Sequence, residues 1–206
     1  MTQAELLAAG IAEMGLSVSS DTQQKLLSYI GLLQKWNKVY NLTAVRDTLE
    51  MVTLHLLDSL SVLPYIQAKS LLDVGSGGGL PGIVLAICLP QLKVTTIDAV
   101  QKKVIFMRQV KGELGLDNLE VVHARVENYR PAEKFDAIIS RAFSELGLFI
   151  GLTKHLIKEN GQWLAMKGQV LQDELKDLSL GPAQIIPLMV AGLEARRHLV
   201  VLENNR

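Results

Sequence analysis

Residues 71–82 read Leu71-Leu72-Asp73-Val74-Gly75-Ser76-Gly77-Gly78-Gly79-Leu80-Pro81-Gly82. The first four suit a short buried strand, and glycines at 75, 77 and 79 then permit a tight turn that a ligand can approach closely. Such a turn lies at the carboxyl end of a strand, where open α/β sheets bind ligands. Pro81 suits the first position of a following helix over 82–89. No Gly-Lys-Ser/Thr follows, which excludes a P-loop.

Strands and helices alternate outward from this turn. Strands are expected at 94–98, 119–123, 135–140 and 161–167, and helices at 101–114, 145–157 and 172–178. Residues 185–188 and 198–202 suit a closing hairpin. This alternation predicts an α/β, Rossmann-like, mostly parallel sheet covered on both faces. Upstream, residues 1–66 read as helical. A first helix spans 2–14, and Gly15 stops it. A second is capped by Ser20 with Gln23, its apolar stripe running through Leu26, Ile30, Leu33 and Trp36. A third begins at Asp47 with Glu50, and Pro64 limits it.

Three readings of the glycine turn compete. One is an ordinary turn. A second is a dinucleotide site, since Gly77, Gly79 and Gly82 match G-x-G-x-x-G and Asp98 follows. That match starts late, because the strand ends before Gly75; counted from Gly75, the third glycine is Leu80. The third reading is S-adenosylmethionine, which has no pyrophosphate and needs backbone room rather than an anion cradle. Its ammonium suits a carboxylate such as Asp73, directly or through water. Asp98, ending the next strand, is placed to accept both ribose hydroxyls or to cap the helix at Gln101. Val126 and Glu127 follow the third strand, where an adenine would rest, although Glu127 has polar neighbours and also suits a solvated surface.

Lys+Arg and Asp+Glu both number 21, so the chain lacks the basic excess of an indiscriminate nucleic-acid binder. Local basic faces remain: Lys102, Lys103, Arg108 and Lys111 on one helix, Arg196, Arg197 and His198 near the end, and Lys167 at a strand end. These suit phosphate contacts or a solvated surface equally. Cys88 is the single cysteine, which excludes an intrachain disulfide and a cysteine metal cluster; its apolar run predicts a buried small residue. The four histidines show no metal-ligand spacing. No stretch has 18 consecutive apolar residues and no signal-peptide core opens the chain, so a soluble cytoplasmic protein is expected. Trp36 and Tyr40 suit packing of the helical segment better than base stacking. His55 and Asp58 share a helical face within bonding reach.

Taken as an ordered set, several pieces of the chain resemble a known family. They are Lys35-Trp36-Asn37-Lys38-Val39-Tyr40-Asn41-Leu42-Thr43, His55-Leu56-Leu57-Asp58-Ser59, the 73–82 turn, Ile139-Ser140-Arg141-Ala142 and Arg197-His198-Leu199-Val200-Val201. The set resembles the bacterial 16S ribosomal RNA guanine-N7 methyltransferases acting at guanosine 527, the glucose-inhibited division protein B family. The resemblance implies a seven-stranded S-adenosylmethionine-dependent methyltransferase domain over 67–206 behind an N-terminal helical extension over 1–66. It implies cofactor contacts at Gly75, Leu80, Val126, Glu127 and Arg141; the turn itself adds Gly77, and the strand end adds Asp98. Two conservative departures are Lys102-Lys103 where Lys-Arg is expected and Ala99 where serine is common.

The implied partner is 16S ribosomal RNA, within a small subunit or an assembly intermediate. Guanine N7 carries an in-plane lone pair, so the reaction needs no general base, metal or covalent nucleophile, and alignment suffices. No catalytic side chain is therefore assigned. Arg141 follows the fourth strand and suits guanine O6, a phosphate or the cofactor carboxylate; the alternative is a salt bridge with Glu145 or Asp136.

Overall fold

The computed structural model describes residues 1–141, 143, 145–168, 170 and 182–204. The expected helix at 172–178 lies outside the described residues.

Helix α1 (Gln3–Glu13) opens with a capping box between Thr2 and Glu5. Helix α2 (Ser20–Tyr40) starts one residue earlier than expected, because Ser19 rather than Ser20 takes the extended cap conformation and accepts the Thr22 N–H. It ends at Asn41 in the left-handed region. Asp47 caps the third helix as expected, accepting from Leu49 and Glu50. This helix, α3, runs from Thr48–Met51 through a π turn at Val52–Leu57 to Asp58–Leu60.

The sheet comprises β1 (Ser70–Val74), β2 (Lys93–Asp98), β3 (Leu119–His123), β4 (Phe135–Ser140), β5 (Ile157–Lys167), β6 (Gln184–Leu188) and β7 (Arg197–Glu203). Helices α4 (Gly82–Cys88), α5 (Gln101–Leu114) and α6 (Leu146–Thr153) connect the parallel strands. The order is β3-β2-β1-β4-β5-β7-β6, with β7 antiparallel to both neighbours. Pro81 occupies the position just before α4, not its first turn.

One expectation fails after β4. The apolar run 145–157 is not one helix: α6 stops at Thr153, and Ile157 already pairs with Phe135 in β5. The Thr153 hydroxyl is turned back onto Phe149 O and also accepts from Trp163 Nε1, fixing the helix end against the sheet. Asn160 adopts a positive φ, and the β4–β5 register shifts there, so an irregular strand replaces the last helical turn.

Alternation along the strands supplies two cores. Leu71, Ile139 and Leu164 join a cluster with α1–α5, while Leu72, Ile138 and Trp163 join one that includes Leu146 and Phe149 of α6. The chain leaves β1 in one direction through β2 and β3, and returns on its other side with β4. The sheet therefore splits above the carboxyl ends of β1 and β4, the switch point where such sheets take ligands. Ser140 Oγ donates to Val74 O at 2.7 Å and pins the two strand ends together.

Candidate active site

The glycine turn closes on itself at the mouth of that split. The N–H groups of Gly75 and Ser76 both go to Ile97 O, and those of Gly79 and Leu80 both go to Ser76 O. Gly77 N–H donates to Asp98 Oδ2 at 2.9 Å and Gly82 N–H to Asp73 Oδ2 at 2.8 Å. With these amides committed inside the protein, the turn is a poor phosphate cradle, which weighs against the dinucleotide reading. Gly82 is required by packing, since a Cβ there would lie 2.7 Å from Asp73 Oδ2 and 2.8 Å from Thr96 Cγ2. Gly77 is different. Its φ is +60°, and a Cβ there would lie 4.0 Å from Gly75 O and from Lys103 Nζ, an ordinary contact rather than a clash. This half-buried backbone leaves room for a ligand to lie along it without offering its amide to a phosphate.

Asp73 is fully buried beneath the turn and bonded to Gly82; among the described residues its Oδ1 has no hydrogen-bond partner. Burial pushes its carboxyl up to about 7 against the pull of the Gly82 N–H and of Arg141. Asp98 braces the turn with Oδ2 while Oδ1 accepts the Val100 N–H, and Lys103 Nζ lies 3.9 Å away. Val126 and Glu127 form a short 3-10 turn after β3. Val126 is buried in the α6-side core, and the Glu127 carboxylate pairs with Arg125 at 3.6 Å.

Arg141 leaves the end of β4 and crosses the split. Its Nη1 donates to Asp58 Oδ2 at 2.9 Å and to Leu54 O, within the π turn, at 3.1 Å. The partner is thus Asp58 rather than Glu145 or Asp136; Asp136 is bonded to Lys158 and Ser70 instead. Asp58 Oδ1 also accepts Arg197 Nε at 3.0 Å, so one buried carboxylate holds two guanidinium groups. His55 does not bond to Asp58. Its Nε2 pairs with Thr43 Oγ1 at 2.9 Å, and burial, then Arg141, lowers its imidazole to about 4, keeping it neutral at pH 7.

Two cavities meet at Arg141 and His55. The first, about 190 Å³, is lined by Gly75, Gly77, Leu80 and Arg141 with Leu33 and Thr43 from the helical segment. The second, about 410 Å³, is lined by Asp58, Lys167 and Arg197 among others. Four of the seven expected cofactor residues thus share one cavity; Asp98, Val126 and Glu127 lie outside its lining, at the ends of β2 and β3. Sequence reasoning missed Leu33, Leu42 and Thr43. For Leu33 the signal available was the apolar stripe of α2, which gives no indication of what it faces; Leu42 and Thr43 stand in the 35–43 piece, just beyond the helix, where no periodicity assigns them a role.

The remaining candidates are dispersed. Lys102 and Arg108 are exposed on α5, Arg196 is exposed and Lys167 is buried. Trp36 packs on Phe106 with ring centres 5.7 Å apart, while Tyr40 lies tilted against Trp36 and is exposed. Cys88 is half-buried, its thiol pushed up to about 12 by burial, so it is not a thiolate nucleophile near neutral pH. His123 and His198 each bond a backbone carbonyl. No group of three or more His, Cys, Asp or Glu side chains among the described residues could hold a metal ion.

This fold is shared with solved methyltransferases. The O-methyltransferase from Bacillus cereus in complex with SAH superposes with a TM-score of 0.63 at 16% identity, covering 98% of this chain and 100% of that one. A SAM-dependent methyltransferase from Aquifex aeolicus gives 0.56 at 22% identity, covering 73% and 92%. The seven-stranded α/β architecture is thus one that methyltransferases also adopt.

Residues 22–200 match the GidB family, described as rRNA small subunit methyltransferase G, and the chain belongs to that family. It is 63% identical over 95% of its length to the ribosomal RNA small subunit methyltransferase G of Methylobacillus flagellatus, covering 96% of that protein. The protein of the same description from Aromatoleum aromaticum is 54% identical, with 98% and 99% covered.

Proposed function

We propose that this protein transfers a methyl group from S-adenosylmethionine to N7 of a guanine in 16S ribosomal RNA, at position 527 in bacterial rRNA numbering. The observation that carries the cofactor reading is the turn over 75–82, whose amides are internally bonded while the Gly77 backbone and the Arg141 guanidinium face one cavity. Family membership carries the RNA target. In this reading Gly75, Gly77, Leu80 and Arg141 hold the methionine end, Asp98 the ribose, and Val126 with Glu127 the adenine. Residues 1–66 form a helical extension and 67–206 the methyltransferase domain.

Bound S-adenosylmethionine supplies an electrophilic methyl group on a sulfonium centre. The protein's share of the work is alignment, because guanine N7 attacks through a lone pair it already has. Arg141 is kept rigid by Asp58 and Leu54 O, so a fixed positive charge borders both cavities. Neutral His55 adds a polar wall without a second charge. The substrate is a small subunit or an assembly intermediate in the cytoplasm, with Lys102, Arg108 and Arg196 positioning RNA phosphates.

The test is transfer of a labelled methyl group to unmodified small subunits and to their stripped RNA, followed by nucleoside analysis. Labelled 7-methylguanosine is expected. No transfer from a preparation that binds S-adenosylhomocysteine would overturn the RNA assignment; no cofactor binding would overturn the whole reading.

A further inference from the structure

The glycine turn has one anchor that comes from outside the sheet. Tyr29, on α2, is fully buried, and its hydroxyl donates to Gly78 O at 2.7 Å. One turn further along α2, Leu33 closes on the same glycine: a Cβ at Gly78 would lie 3.3 Å from Leu33 Cδ1. The Tyr29 ring also faces Phe106 of α5, with centres 6.4 Å apart. The phenol is thus gripped from the helix that follows Asp98 while its oxygen holds the turn that Asp98 braces.

We infer that Tyr29 is a positioning residue for the cofactor turn, fixing the Gly78 carbonyl and so holding residues 75–80 in the conformation that receives S-adenosylmethionine. The inference rests on the cofactor reading above. Its physical basis is entropy. A run of three glycines has wide backbone freedom, and a ligand that must order such a turn loses affinity in doing so. The bonds to Ile97, Asp98 and Ser76 secure the N–H side of the turn. Tyr29 secures a carbonyl at its centre, and burial keeps the phenol protonated, well above the usual tyrosine range, so it remains a donor at any physiological pH. The helical segment therefore sets the cofactor site from above, as Asp73 and Asp98 do from below.

The test is Tyr29→Phe, which keeps the ring in its packing and removes only the donor. Calorimetry with S-adenosylhomocysteine should show Kd raised about tenfold, the order expected when the ligand must itself order a loosened turn. At saturating cofactor, kcat should stay within about twofold, because the turn is realigned once bound. Leu7→Val, in α1 and outside both cavities, is the comparison: it should lower Tm with Kd unchanged. If Tyr29→Phe lowers Tm but leaves Kd at the wild-type value, the residue is merely structural and the inference fails. Failure of the wild-type chain to bind S-adenosylhomocysteine would instead sink the cofactor reading. Hydrogen exchange on the wild type covers a variant that does not fold. S-adenosylhomocysteine should slow exchange in 75–80 and in 29–33 together, and protection of the turn alone would overturn the coupling.

Discussion

Asp73 and His55 are both buried, both feel Arg141, and titrate in opposite senses, so their pH signatures should separate in single variants. Asp73 is pushed up to about 7, against an ordinary 3.8 that the unfolded chain retains. Between these values the folded protein keeps a proton that the unfolded chain has shed. Its stability contribution is complete below the unfolded value and is lost as pH rises through 7. A gap of about three pH units, at about 1.4 kcal/mol each, makes that loss about 4 kcal/mol in full. His55 is held at about 4, against 6.5 when unfolded. Here the unfolded chain holds the extra proton, so stability is complete above 6.5 and is lost as pH falls through 4, by about 3 kcal/mol in full.

The two slopes oppose each other, and the wild type should be nearly flat where both act. Asp73→Asn and His55→Gln expose them separately. Urea unfolding at pH 5 and pH 8 is the assay. Relative to wild type, Asp73→Asn should gain about 2–3 kcal/mol more at pH 8 than at pH 5. His55→Gln should gain about 2 kcal/mol more at pH 5 than at pH 8. Only the change with pH is diagnostic, because each substitution also carries a constant packing cost. Difference curves that are flat, or that slope the same way in both variants, would refute the burial argument for these groups.

Three further outcomes are expected. Asp98→Asn should weaken S-adenosylhomocysteine binding by tenfold or more; unchanged calorimetric affinity would remove Asp98 from the ribose assignment. Gly82→Ala must push apart β1 and α4, because its Cβ would press on Asp73 and Thr96, and should cost about 2–3 kcal/mol in urea unfolding; an unshifted midpoint would contradict the packing described. Asp58→Asn leaves two guanidinium groups sharing a neutral partner and should cost about 2 kcal/mol. Adding Arg197→Gln should cost little more, since both act through one carboxylate; fully additive losses would show that the two arginines are independent.

Features determined by neighbouring residues were legible in the sequence. The strand ends at Val74, Asp98 and Ser140 follow from hydrophobic runs stopped by glycine or charge, and the helix Gln101–Leu114 with Gly115 after it was read to the residue. The gathering of Gly75, Gly77, Leu80 and Arg141 about one cavity also follows from topology, since the turn and Arg141 both leave carboxyl ends of adjacent parallel strands. What was not legible depends on distant partners. Arg141 and Asp58 are 83 residues apart, and Arg197 and Asp58 are 139 apart, so no local pattern pairs them. The run 145–157 was misread because Leu146, Phe149, Leu156 and Ile157 are all apolar core residues; without a polar face, periodicity cannot mark where α6 gives way to β5. Tyr29 is not among the stripe positions Leu26, Ile30, Leu33 and Trp36, and only the folded turn reveals its acceptor.

The place of β7 has a consequence for the order in which this protein can be made. Strand β7 follows both β5 and β6 in sequence, yet it lies between them in the sheet. As the chain leaves the ribosome, β6 emerges before the neighbour it requires, and β5 presents a bare edge until residues 197–203 arrive. Arg197, which shares the Asp58 carboxylate with Arg141, comes with those same residues. A nascent chain halted before that point holds the glycine turn and Arg141 but neither the inner strand nor the second cation on Asp58. Completion of the site is thereby tied to the arrival of residues 197–203, long after the glycine turn has formed.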